Sequence, residues 1–184
     1  MRIVISGTHA SGKSTVVSDF ADRHPEYAVL PDPFELVDEF WDATSAASFV
    51  AQLGVSAARL HPDETEGSLI AERGPLDFLA YLRALDDLDG STGSRELMER
   101  LTEVTREAMQ HVDLLVVLPL TPCDEIFVSD DENLPLRETM NDALLDLIAD
   151  EDVIGHDLNT VEIVGTRAQR LTALERTVDV FRSA

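Results

Sequence analysis

Eight residues near the start of the chain constrain its fold more than anything else in it: Gly7–Ser14, reading GTHASGKS. They fit G-x-x-x-x-G-K-[ST]. They follow the apolar run RIVIS (2–6) and precede a segment, 13–23, whose helical spacing sets Val16, Val17 and Phe20 on one side. Between a strand and a helix, such glycines let the backbone turn its N–H groups onto phosphate oxygens at the positive end of the helix dipole. Lys13 then reaches the β- and γ-phosphates, and Ser14 offers a hydroxyl to Mg²⁺. Lys13 is also the only lysine; every other basic residue is arginine. A compact ammonium fits inside a backbone loop as a planar guanidinium does not. The phosphate-binding set expected from the motif is Gly7, Thr8, His9, Ala10, Ser11, Gly12, Lys13, Ser14 and Thr15.

Further apolar runs of strand length follow: YAVLP (27–31), SLIAE (68–72), DLLVVLPL (113–120) and VEIVG (161–165). Helices are expected over 34–41, 45–60, 75–85, 94–111, 136–149 and 167–182, with Pro75 in the first turn of its helix. Strands alternating with helices fold as a parallel sheet covered on both faces, and the almost wholly apolar 113–120 suits a strand buried on both sides. Residues 86–93 and 121–135 read as loops, the second as a lid-like segment ending near residue 137. No repeat or linker composition divides the chain, so 1–184 is expected to be one domain.

Charge narrows the partners. With 36 acidic against 14 basic residues the formal net charge is −22, which disfavours nucleic acid and anionic membrane, both polyanions. The acidic clusters 86–89, 130–132 and 150–152 read as solvated faces. One cysteine, Cys123, permits no intrachain disulfide, and the histidines show no metal spacing. No apolar stretch approaches bilayer length, so the expected location is the cytoplasm. Oligomeric state is not written in the sequence.

Ligands of an open parallel sheet sit beyond the carboxyl ends of its strands. Asp32 follows the second strand, Glu72 and Arg73 the third, and Gly165, Thr166 and Arg167 the fifth. Phosphoryl transfer needs a cradle, a metal, a group to orient the acceptor, and positive charge on the moving phosphoryl. Asp32 is the candidate acceptor base and a metal contact; a turn or cap before Pro33 is the alternative. Glu72 is a candidate metal ligand and Arg73 a candidate phosphate or acceptor contact; a plain Glu–Arg pair is the alternative. The fourth strand ends in Leu118-Pro119-Leu120 without an aspartate, so a second metal carboxylate must come from Asp32 or Glu72. Arg137, after the acid-rich loop, is the candidate finger or a surface arginine.

GTHASGKST, ERGPLDFLAYL and VEIVGTRAQR resemble the P-loop small-molecule kinases, and more narrowly the short AAA-type ATP-binding proteins related to the kinase domain of the bacterial nicotinamide riboside regulator. The second segment also resembles the Glu-Arg-Ser stretch of deoxynucleoside kinases, with Gly74 for serine. Those kinases carry Glu-Pro-Val and then a tryptophan after the second strand; here DPFELVDEFW puts Asp32 where the glutamate base stands. The resemblance implies a P-loop NTPase fold, three layers α/β/α around a five-stranded parallel sheet, with ATP and Mg²⁺. It implies acceptor-pocket roles for Phe34, Trp41, Gln52, Glu72 and Tyr81, although the aromatics read equally as core. It implies adenine framing by Gly165, Thr166, Arg167 and Arg170. The arginine-rich lid of those families is missing, which favours a neutral acceptor over a nucleotide.

The expectation is an ATP-dependent transfer of phosphoryl to the hydroxyl of a small molecule such as a nucleoside. The alternatives are a regulatory module that binds or slowly hydrolyses ATP, and a nucleoside monophosphate kinase using Arg59, Arg73 and Arg83.

Overall fold

The computed structural model describes residues 1–36, 45–90, 94–121 and 133–183. Five parallel strands form one sheet: β1 (Arg2–Ser6), β2 (Ala28–Leu30), β3 (Leu69–Glu72), β4 (Leu114–Val117) and β5 (Asn159–Glu162), in the order β2-β3-β1-β4-β5. The first strand is central. It pairs Ile5 with Glu72 on one side and Ser6 with Val117 on the other, so the chain after it opens at the point where the strand order reverses.

The pleat divides the core in two. Ile3, Ile5, Ile70, Leu114 and Val116 pack against α1 (Lys13–Arg23) and α7 (Arg167–Ser183). Val4, Ala71, Leu115 and Val117 face the other way, onto α2 (Ala46–Arg59), α3 (Pro75–Asp89), α4 (Arg95–Met109), α5 (Leu134–Ile148) and the single turn α6 (Glu151–Ile154). Alternate side chains of each strand thus serve opposite layers, giving the expected three-layer α/β/α architecture.

Several boundaries differ from expectation. Helix α3 continues through Asp86–Asp89 and is closed by Gly90 at φ +68°, so no loop begins at 86. Its last turn is exposed, where acidic side chains stay hydrated while the backbone bonds continue. Residues 34–41 give only a 3₁₀ turn, Pro33–Leu36, within the described residues. The fifth strand starts earlier than VEIVG, at Asn159, and ends at Glu162; it is an edge strand whose first two residues are polar and exposed, so it has no apolar signal at its start. The acidic stretch at 150–152 keeps its charges outside but caps and begins α6, whose Val153 and Ile154 are buried. Trp41, Cys123 and most of the lid-like segment lie outside the described residues.

Candidate active site

The Gly7–Ser14 loop lies over the carboxyl end of β1 and enters α1 through Gly12, at φ +90°. Gly7 admits no side chain: a Cβ there would lie 2.7 Å from Ser11 Oγ and 2.8 Å from the Leu118 carbonyl. The carbonyls of the loop are taken in turn by cations. Arg73 Nη1 donates to Gly7 O at 3.1 Å and Lys13 Nζ to Thr8 O at 2.6 Å. Arg137 donates through Nε to His9 O at 3.1 Å and through Nη2 to Ala10 O at 3.2 Å. Arg170 Nη1 donates to Ser11 O at 2.5 Å. Each such bond fixes a peptide and polarises its N–H on the opposite side. In a chain of net charge −22, these side chains are among 14 basic residues, and they gather positive potential where an anion would sit.

Lys13 is buried, and burial first, then the Arg73 charge, pushes its ammonium down to about 7 against the pull of Asp77, Asp32 and Glu72. The hydroxyls of Thr8 and Ser11 are buried and have no hydrogen-bond partner among the described residues. Unpaired buried hydroxyls are costly, and phosphate oxygens are acceptors that would satisfy them. Ser14 Oγ donates to Glu72 Oε1 at 2.6 Å, which brings a hydroxyl and a carboxylate together at the mouth of the loop. Two hard oxygen donors suit Mg²⁺, which takes one or two protein ligands and completes its shell with phosphate oxygens and water. The residues present therefore fit both a triphosphate and its metal.

Beside the loop, Glu72 and Arg73 diverge. The plain Glu–Arg pair does not form: Glu72 turns to Ser14, while Arg73, at φ +68°, turns under Gly7. A left-handed conformation is uncommon for arginine and persists only where the surroundings enforce it. Here Nε donates to Asp32 Oδ2 at 2.6 Å, and the guanidinium lies 5.7 Å from the Phe34 ring centre and 5.4 Å from that of Tyr81. Burial lowers the Arg73 pKa, but Tyr81, Asp32 and Asp77 outweigh it and raise it, so the group stays charged. The other oxygen of Asp32 accepts the Phe34 N–H at 3.1 Å, the turn role weighed above, without removing its carboxylate from the strand end.

Phe34 meets Phe49 and Phe78 edge-on or tilted, and Tyr81 stacks on Phe49 at 4.6 Å. The Tyr81 hydroxyl accepts the His9 N–H at 3.0 Å and lies 3.1 Å from His9 Nδ1, so it links α3 to the loop. Gln52 is buried; its Nε2 donates to Ser48 Oγ at 2.8 Å, and its Oε1 has no partner among the described residues. Phe34 and Tyr81 are thus joined both to the core and to the Arg73 side of the site.

The remaining candidates scatter. Arg59 donates to Pro31 O at 2.8 Å, near Asp32, whereas Arg83 lies beside Asp86, Asp87 and Asp146 on the surface. Arg167 makes two bonds to Asp19 of α1, at 2.7 and 2.6 Å, and is exposed. The Thr166 N–H is capped by Gln169, and Gly165 turns at φ +106°. Arg170 is buried, with Nε on Gly165 O at 2.8 Å.

One residue escaped the sequence reading. Asp77 is fully buried, and its carboxylate accepts from Ser6 Oγ at 2.7 Å, from the Gly7 N–H at 2.9 Å and from the Gly74 N–H at 2.9 Å. It ties the end of β1, the first glycine of the loop and the turn after Arg73 into one unit. The signal available was an acid at the third position of a helix that begins with proline, where it can reach back to the cap amide.

Residues 2–170 match the AAA domain family, and the chain belongs to it. Solved structures share its fold. Deoxyadenosine kinase from M. mycoides with bound dATP superposes with a TM-score of 0.70 at 13% identity, over 97% of this chain and 100% of that one. The same kinase with the products dCMP and a flexible dCDP gives 0.70 at 14%, over 98% and 100%. Thymidylate kinase from Candida albicans gives 0.67 at 20%, over 98% and 92%. At these identities the likeness establishes the fold. No curated protein matches the chain by sequence. Among the described residues no helix is long and apolar enough to cross a membrane.

Proposed function

We propose that this protein is an ATP-dependent phosphotransferase that moves the γ-phosphoryl group onto the hydroxyl of a small neutral molecule, with a nucleoside as the leading class. The observation that carries the reading is the cation-bound Gly7–Ser14 loop with the Asp32–Arg73 pair, 2.6 Å apart, at its side. The shared fold of deoxyadenosine and thymidylate kinases supports it.

In this reading the loop amides and Lys13 bind the triphosphate. Ser14 and Glu72, with Asp32 nearby, would hold Mg²⁺, which when bound supplies charge neutralisation at the β- and γ-oxygens. Asp32, positioned by Arg73, accepts the proton of the acceptor hydroxyl as its oxygen bonds to the γ-phosphorus. The bond from that phosphorus to the β–γ bridging oxygen breaks, and ADP leaves. Lys13 and Arg137 offset the charge that builds on the transferring group. Phe34 and Tyr81 would wall the acceptor space, Gln52, whose amide oxygen has no partner among the described residues, would meet a polar group of the acceptor, and Gly165 with Thr166 would frame the base. Arg73 is paired with the Asp32 carboxylate, which offsets its charge and leaves it poorly disposed to bind a phosphate on the acceptor. We take residues 1–184 as one domain acting in the cytoplasm.

A regulatory ATPase is the second reading, favoured by the acid-rich segment after β4 and by the lack of an aspartate at the end of that strand. The Ser14–Glu72 contact weighs against it, because a carboxylate at the end of β3 meets the hydroxyl of the loop and could take the place of the missing aspartate. Labelled ATP offered with a panel of nucleosides and other small alcohols separates the two. Transfer to an acceptor, reduced about 100-fold or more by Lys13→Ala, is the expected result. Free phosphate as the sole product across the panel would favour the regulator, and unchanged turnover in the variant would remove the kinase.

A further inference from the structure

Arg170 stands where an adenine contact was expected, but its geometry fits another role. It is 3% exposed, one turn into α7. Its Nε donates to Gly165 O at 2.8 Å and its Nη1 to Ser11 O at 2.5 Å, across 159 residues of sequence. Gly165 forms the turn after β5, and Ser11 belongs to the phosphate loop. A guanidinium is a rigid planar fork, so two carbonyls bound to its two edges are held at a fixed separation. A lysine, with one ammonium on a flexible stem, holds one of them at a time.

We infer that Arg170 is a positioning residue that locks the base-framing turn to the phosphate loop, so that nucleoside and triphosphate are gripped as one rigid ligand. It acts through the carbonyls of Gly165 and Ser11 and touches neither part of the nucleotide. Arg73 and Arg137 reach the same loop from the acceptor side and from α5, so Arg170 is the tie that belongs to the nucleoside side. This inference rests on the proposed function above, both for the loop as a triphosphate site and for the Gly165–Thr166 turn as the contact to the base.

The experiment is calorimetric titration of the full chain with Mg·ATP and with Mg·inorganic triphosphate, which has no base, for the wild type, Arg170→Met and Arg170→Lys. Melting temperatures without ligand are recorded alongside. In Arg170→Met, triphosphate should bind about tenfold more weakly, from loss of one charge-assisted bond at the loop. ATP should bind about 100-fold more weakly, because the base turn also loses its tie. The advantage of ATP over triphosphate therefore shrinks about tenfold, KM for ATP rises, and kcat changes much less. Arg170→Lys should recover part of the triphosphate affinity but little of the ATP advantage.

Triphosphate binding unchanged while ATP binding falls would mean that Arg170 contacts the base directly, and would overturn the inference. Equal losses for both ligands would reduce it to a scaffold residue, with the same consequence. If Arg170→Met fails to melt cooperatively, the comparison is read from Arg170→Lys alone. A wild-type protein that binds neither ligand refutes the triphosphate site itself, whereas normal wild-type binding with unaffected variants refutes only the role of Arg170.

Discussion

Replacing Asp77 tests how much of the site depends on one buried carboxylate. Alanine at this position leaves the Gly7 and Gly74 amides, each bonded at 2.9 Å in the native chain, without an acceptor in a region closed to water. The Ser6 hydroxyl can rotate to another acceptor; the two amides cannot. Hydrogen bonds to a charged group contribute about 1.5–3 kcal/mol each, and a stranded buried donor costs about 1–3 kcal/mol. Removing the carboxylate also relieves its own desolvation, so a net loss of about 3–5 kcal/mol is expected. For a chain of this length, one kcal/mol shifts Tm by roughly 2–4 °C, so Asp77→Ala should melt about 6–20 °C lower. Asp77→Asn keeps one acceptor oxygen but turns an NH₂ toward a donor, and should lose about half as much. The assay is calorimetric melting, followed by Mg·ATP titration at about 15 °C, where the variants remain folded. Because Gly7 opens the phosphate loop, affinity should fall at least about tenfold. A variant that melts within about 2 °C of the wild type and binds Mg·ATP normally would show that the loop does not need this anchor.

The Lys13 ammonium, pushed down to about 7 from its ordinary 10.5, gives two linked expectations. Between those values the unfolded chain holds a proton that the folded chain has released, so this group makes stability rise with pH, by up to ~1.4 kcal/mol per unit. A triphosphate draws the proton back, so Mg·ATP binding near pH 8.5 should take up roughly one proton, read from calorimetry in two buffers of different ionisation enthalpy; zero uptake refutes the placement of Lys13. Glu72→Gln should lower turnover about 10–100-fold while leaving ADP binding in a chelator nearly unchanged, and equal loss in both would remove Glu72 from the metal site. The net charge of −22 should make folding salt-dependent. Raising NaCl from about 0.1 to 1 M shortens the Debye length from about 10 to 3 Å and should raise Tm by several degrees, whereas a flat or falling Tm would mean that carboxylate repulsion is not a significant burden.

Much of this protein was legible before its fold was known, because the relevant chemistry is contiguous in the chain. The strand, loop and helix of residues 2–23 declare themselves by glycine spacing, one lysine and apolar periodicity. The parallel sheet follows from runs such as LLVV in β4, which is buried throughout. Where the local signal was weak, the boundaries slipped. Asn159 and Thr160 carry no apolar pattern because an edge strand needs none, and the acidic end of α3 stays helical because backbone bonds do not require an apolar face.

What the tertiary structure decided is which side chains reach the loop and in which direction they act. Arg73, Arg137 and Arg170 bind its carbonyls from 66, 128 and 159 residues away. Nothing in their local sequence distinguishes an arginine aimed at a peptide carbonyl from one in solvent, such as Arg167 on Asp19. Glu72 and Arg73 are neighbours in the chain, yet one turns to Ser14 of the loop and the other to Asp32 after β2. A motif specifies the atoms that touch phosphate because they follow one another along the backbone; the ties that hold that backbone rigid are set by packing, and no short window of sequence contains them.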